Sequence, residues 1–218
     1  QDTSTADPTG VTYNSVSMTK AGSVTNSNVT ASIWYLVNPA TGENTISVTV
    51  GFTANVLDIG ALSLTGIDQS APVGTAVTAT GTSTTPSVTS NATVAGEVVF
   101  DCMALNDNTA ATVHASQTQI SQHSPGVNHR SGTSRELATT TSTTMSWTLG
   151  GSEAWGIVAL PIKVNTSVAL DIAADKNRLI AVIADENDHE TYASTDGASW
   201  TAAATEIAAN LLSDDVTT

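Results

Sequence analysis

Over most of the chain the apolar residues recur at every second position, the period of a strand with one face buried. In residues 45–53, Ile46, Val48, Val50 and Phe52 alternate with Thr45, Ser47, Thr49 and Gly51. Residues 143–149 repeat the pattern, with Met145, Trp147 and Leu149 on one face. Three other runs lack the alternation: residues 29–37, around Ile33-Trp34-Tyr35-Leu36, residues 98–105 and residues 155–162. Residues 29–37 are apolar on both faces, and the nearly continuous runs 98–105 and 155–162 predict central strands. Asn38-Pro39-Ala40-Thr41-Gly42 predicts a turn, because Pro presets φ and Gly tolerates positive φ. The apolar parity flips at Gly60, from Leu57 and Ile59 to Leu62 and Leu64, which predicts a β-bulge. Residues 81–93 and 116–144 read as two long polar loops and as candidate contact points.

Many short strands separated by turn signals predict an all-β chain, an antiparallel β-sandwich or jelly roll over residues 1–164. The texture changes after Lys163. Residues 165–218 read as a C-terminal β-hairpin arm: a strand at residues 178–184, an acidic run, and a short helix from Ala202 to Leu212 with Ala203, Ile207 and Leu211 on one face.

Composition narrows the function classes. Only 12% of the 218 residues are charged, about half the usual share, and Ser and Thr take their place. Thr is β-branched and suits the solvent face of strands. The balance of 6 Lys+Arg against 20 Asp+Glu gives a formal net charge of −14. That charge repels phosphate backbones and anionic lipid, so neither nucleic acid nor a membrane surface is an expected partner. No apolar run approaches the roughly 18 residues needed to span a bilayer, so no membrane insertion is expected. The single cysteine, Cys102, excludes an intrachain disulfide and a cysteine zinc cluster. The chain opens at Gln1 in polar text, the start expected of a processed product or a piece of something longer.

Several segments carry a resemblance. Gly10-Val11-Thr12-Tyr13-Asn14, the run Ser32-Ile33-Trp34-Tyr35-Leu36-Val37-Asn38-Pro39-Ala40-Thr41-Gly42, Leu64-Thr65-Gly66-Ile67-Asp68-Gln69 with Pro72-Val73-Gly74, and Met145-Ser146-Trp147-Thr148-Leu149 continuing to Trp155 are the matching words. Residues 7–163 thereby resemble a β-sandwich repeat that recurs in large bacterial surface proteins and in phage and environmental viral proteins. The resemblance implies a structural or adhesive module without an established active site. In that family a strand of the type Asn-Arg-Leu-Leu-Val-Val precedes the opening stretch. Here a similar strand, Asn177-Arg178-Leu179-Ile180-Ala181-Val182, stands near the other end. It is the candidate assembly strand, supplied either by the chain's own C-terminus or by a neighbour. Further on, Tyr192 to Thr201, with Ser194, Asp196, Gly197 and Trp200, resembles the Asp-box turn of sialidase-type propeller blades. The resemblance implies a hairpin stapled by Asp196, with Trp200 beneath it. A lone blade lacks the neighbours a propeller needs.

Candidate chemistry is sparse. Cys102 beside His114, His123 or His129 would be a nucleophile pair, but it sits in the apolar run Val98-Val99-Phe100-Asp101-Cys102-Met103, where a free cysteine is an ordinary small hydrophobe. The three histidines match no metal-ligand spacing. Asp185, Glu186, Asp188 and Glu190 offer oxygen ligands for Ca²⁺, the one cofactor weighed, against the plainer reading of a solvated acidic turn. Trp34, Tyr35, Trp147, Trp155 and Trp200 are candidates for a sugar-stacking platform or for core. Asn28-Val29-Thr30, Asn91-Ala92-Thr93 and Asn165-Thr166-Ser167 fit the N-glycosylation pattern, an unsurprising frequency in a Thr-rich chain. No phosphate-binding glycine loop or Ser-His-Asp arrangement is present, so no catalytic residue and no enzyme activity is expected.

The expectation is a structural subunit, extracellular or on a virion surface: capsid decoration, a fibre or tail component, or a filament. Its partners would be copies of itself and other structural proteins. A carbohydrate-binding adhesion module that takes a cell-surface glycan is the alternative.

Overall fold

The computed structural model describes residues 7–51, 56–91, 93–124 and 128–164, and the strands of residues 174–175, 178–184, 189–194 and 201–202. The chain divides into two compact units, Gln1–Val164 and Asn165–Thr218. The first holds β1 (Gly10–Tyr13), β2 (Val16–Ser17), β3 (Thr19–Asn26), β4 (Val29–Tyr35), β5 (Ile46–Thr49), β6 (Val77–Ser83), β7 (Ser87–Ser90), β8 (Val98–Leu105), β9 (Ala111–Val113), β10 (Thr118–His123), β11 (Arg130–Leu137), β12 (Thr143–Leu149) and β13 (Glu153–Ile162). The second holds β14 (Ala174–Asp175), β15 (Arg178–Ala184), β16 (His189–Ser194) and β17 (Thr201–Ala202). All described strand pairings are antiparallel, and the fold is the expected all-β sandwich.

The centre of the first unit is a five-stranded sheet in the order β10-β11-β8-β13-β6. One face carries the sheet β7-β12-β9 and the other the hairpin β3-β4. This layering explains the two kinds of apolar pattern. β12 lies in an outer layer, so only Thr143, Met145, Trp147 and Leu149 are buried. β8 and β13 are covered on both sides. Val99, Met103 and Leu105 of β8 meet Trp155, Ile157 and Ala159 of β13 beneath β12, while Cys102, Ala104 and Val158 meet Val29, Ala31 and Ile33 of the hairpin. A strand with two buried faces cannot alternate, because a polar side chain on either face would be stripped of water.

Two tryptophans fill their places by lying on glycines. A Cβ on Gly132 would come within 2.7 Å of the Trp147 ring, and one on Gly81 within 2.6 Å of Trp155. Beneath Trp147 sits the most buried acid among the described residues, Asp101, only 2% exposed. Its Oδ2 accepts from Trp147 Nε1 at 2.7 Å, and its Oδ1 accepts from the Ser134 amide at 2.6 Å and the Ser134 hydroxyl at 2.8 Å. Gln117 extends the network, donating to Ser134 Oγ at 2.6 Å and accepting from the Ser146 amide at 2.8 Å. The layers are thus joined by polar as well as apolar contacts.

Several expectations need correction. The two polar loops are largely strand. Residues 81–93 contain the end of β6 and all of β7, and residues 116–144 contain β10, β11 and the start of β12. Many of their Ser and Thr side chains face water or pair with each other, as in Thr89 with Thr144 and Ser121 with Thr133, both at 2.8 Å, so the strands carry little apolar signal. The bulged strand around Gly60 is absent: residues 56–65 enter no ladder. The turn at residues 38–42 does form, with Asn38 at φ 49° and Gly42 at φ 90°.

In the second unit the strand order is β14-β15-β16-β17. β15 pairs with β16 from Leu179↔Ser194 to Ala184↔His189, and β16 pairs with β17 through Tyr192↔Ala202 and Ala193↔Thr201. Residues 165–173 and 203–218, and with them most of the expected helix, lie outside the described residues.

Candidate functional site

The first unit contains an open cleft of about 1730 Å³. Its floor is the face of β8 opposite Trp147, at Phe100, Cys102 and Ala104, with Ile33 of β4 beside it. One wall is Val11 and Tyr13 of β1 with Ile46 and Val48 of β5. The other is the extended segment 57–64 together with Ile120, Ser121, Ser131 and Thr133 of the β10-β11 hairpin.

A cluster centred on Asp58 holds that second wall in place. Asp58 Oδ1 lies 2.6 Å from His123 Nδ1, and Oδ2 lies 3.3 Å from His129 Nε2. Oδ2 also accepts a 2.9 Å hydrogen bond from Ser131 Oγ. The Asp58 side chain is 14% exposed and that of His129 18%, against 63% for His123. Burial pushes the His129 pKa below its ordinary value. The Asp58 charge and hydrogen bond oppose that shift, and the nearby His123 adds to it. One carboxylate therefore pins an otherwise unladdered segment to the edge of the central sheet.

The structure thus brings together two of the three histidines marked in the sequence, and their link is Asp58, which sequence reasoning passed over. The available signal was a lone acid within the apolar alternation of Leu57, Ile59, Leu62 and Leu64. His114 stands apart, with Nδ1 2.8 Å from Ser116 Oγ. Cys102 lines the cleft floor beneath β4, and burial, with the Asp101 and Asp58 charges, pushes its thiol up to about 12. It is held as the thiol. Among the described residues no three His, Cys, Asp or Glu side chains are arranged to hold a metal ion.

The aromatic candidates divide. Trp147 and Trp155 are core, 2% and 6% exposed. Trp34 lines the cleft half-buried, with Lys20 Nζ 4.8 Å over its ring and its own Nε1 donating to Ser32 Oγ. Tyr13 and Tyr35 also line the cleft. Asn28 of the first glycosylation pattern lies exposed in the β3-β4 turn, and Asn91 of the second is exposed after β7.

The residues marked in the second unit fall as follows. Arg178, Leu179, Ile180, Ala181 and Val182 of the candidate assembly strand form the start of β15, which pairs within its own unit with β14 and β16. Asn177 is outside the described residues. Glu190 lies in β16 opposite Ile183, while Asp185, Glu186 and Asp188 are outside the described residues, so the Ca²⁺ reading has no geometry. Ser194 ends β16. Asp196, Gly197 and Trp200 lie in the undescribed connection to β17.

No helix of the described residues is long and apolar enough to cross a membrane. Comparison with protein-family models, with curated proteins and with solved structures gave no match to this chain.

Proposed function

We infer that the chain is a structural subunit of an extracellular or virion-surface assembly, packing against copies of itself and other structural proteins. The observation that carries this reading is the apolar wall of the cleft. Leu57, Ile59, Leu62 and Leu64 are 46%, 55%, 52% and 43% exposed and follow one another along a single segment, in a chain rich in Ser and Thr. Contiguous exposed apolar side chains mark surfaces that another molecule covers. A Ser/Thr surface with few long charged side chains also loses little side-chain entropy when packed against a neighbour.

The test is assembly of the purified full chain, followed by light scattering and negative-stain electron microscopy. Ordered particles, shells or filaments are expected, whereas a chain that stays monomeric at every concentration and salt refutes the reading. Deleting residues 165–218 is expected to leave a soluble first unit that does not complete the assembly. If the truncated chain assembles fully, the C-terminal arm has no part in it.

Glycan binding in the same cleft is the second reading, favoured by Tyr13, Trp34 and Tyr35 along its lining. Glycan-array binding that disappears with Tyr35→Ala would place it first.

A further inference from the structure

We propose that residues 56–65 are the contact between two copies of this chain, pairing antiparallel with the same segment of a second copy. The proposal rests on the self-assembly reading above and names the surface.

Three observations carry it. First, the segment has strand spacing but no strand partner. Its apolar residues alternate on either side of Gly60, yet its backbone enters no ladder among the described residues. Unpaired backbone donors and acceptors beside exposed apolar side chains form a template for another strand.

Second, the apolar positions read the same in both directions. In Leu57-Asp58-Ile59-Gly60-Ala61-Leu62-Ser63-Leu64, Leu57 mirrors Leu64, Ile59 mirrors Leu62, and Gly60 mirrors Ala61. A two-fold contact brings the segment against its own copy, and antiparallel pairing centred near Gly60 and Ala61 places Ile59 and Leu62, the apolar residues nearest the axis, against the second copy. The segment ends at Gly66, where φ is 73° and the chain turns away.

Third, charge permits it. At a net charge of −14 two copies repel through most of their surface. The segment's single charged residue, Asp58, is turned back onto Ser131, His123 and His129 of its own chain, so no like charges meet at the centre. Edge segments that must stay unpaired usually carry a lysine or an outward charge, and this one carries neither. The area suffices: the four exposed apolar side chains of each copy, at on the order of 100 Å² apiece, bring about 800 Å² over both copies, and the added backbone takes the total to the roughly 1,000 Å² of a specific interface.

The experiment is sedimentation of the full chain, wild type against Leu62→Lys and Ile59→Lys, with Val94→Lys as control because Val94 is 62% exposed outside the segment. The wild type is expected to associate, more tightly as salt screens the acidic surfaces. Each Lys variant is expected to weaken association roughly tenfold or more, which is about 1.4 kcal/mol, and the control to leave it unchanged. Ala61→Cys adds a register test. Near the two-fold it is expected to form an intermolecular disulfide on mild oxidation, while Thr65→Cys does not; Cys102, half-buried and with its thiol pushed up to about 12, is expected to stay silent in both. Wild-type association that survives Leu62→Lys and Ile59→Lys overturns this interface and leaves the assembly reading standing on another surface. Equal cross-linking at positions 61 and 65 overturns the antiparallel pairing. A wild type that never associates overturns both readings.

Discussion

Asp101 offers the sharpest test of how the layers are joined. It is the buried acceptor between β8, β11 and β12, and its two carboxylate oxygens take three hydrogen bonds. Asp101→Asn keeps the shape but offers one acceptor oxygen, so either Trp147 Nε1–H or the Ser134 N–H faces an amide NH₂. One stranded buried donor costs about 1–3 kcal/mol. Asp101→Leu strands both, and an expected loss of about 2–6 kcal/mol follows. That is a large part of the stability of an ordinary domain, about 5–15 kcal/mol. The pH dependence separates this account from a packing defect. Burial raises the Asp101 pKa above its ordinary 3.8, and the bonds from Trp147 and Ser134 only partly offset the shift. The folded chain therefore holds this proton more tightly than the unfolded chain. Between 3.8 and the raised value the folded state binds more protons, so the Asp101 contribution to stability falls as pH rises through that window. Asp101→Asn removes that component of the slope. Urea unfolding followed by circular dichroism across the acid range reads both effects. In the double variant Asp101→Leu with Trp147→Phe one stranded donor is gone, so the combined loss is expected to be less than the sum of the two single losses. Strict additivity, or an Asp101→Asn variant within about 0.5 kcal/mol of wild type with an unchanged pH slope, refutes the reasoning.

Two further outcomes are expected. Gly132→Ala drives a methyl into the Trp147 ring at 2.7 Å and is expected to cost about 1–3 kcal/mol in urea unfolding, while Gly10→Ala, with nothing within 4 Å, stays near neutral. Cys102, its thiol pushed up to about 12, is expected to resist a thiol-reactive dye at pH 8 in the folded chain and to react once the chain is unfolded in urea.

Where apolar side chains carry the information, the strand pattern is written in the sequence. Residues 98–105 and 143–149 match β8 and β12 end to end, and the unbroken runs of β8 and β13 gave away their central place. The tertiary structure alone decided the rest, for three physical reasons. β7, β10 and β11 are built largely from polar residues, and what makes them strands is a ladder to a distant partner, such as β11 on β8 from Arg130↔Leu105 to Leu137↔Val98. Backbone hydrogen bonds are the same for every residue, so a strand held by them leaves no mark in side-chain periodicity. Residues 56–65 show the reverse: the periodicity of a strand without the ladder, because alternation records which positions want burial and not whether a neighbouring chain segment is there to bury them. The Asp58 cluster joins residues 58, 123, 129 and 131, brought together only when the β10-β11 hairpin closes beneath the extended segment. Spacing along the chain could give that fold its layers, but not the meeting of residues more than sixty positions apart, because that meeting depends on how the layers close in space.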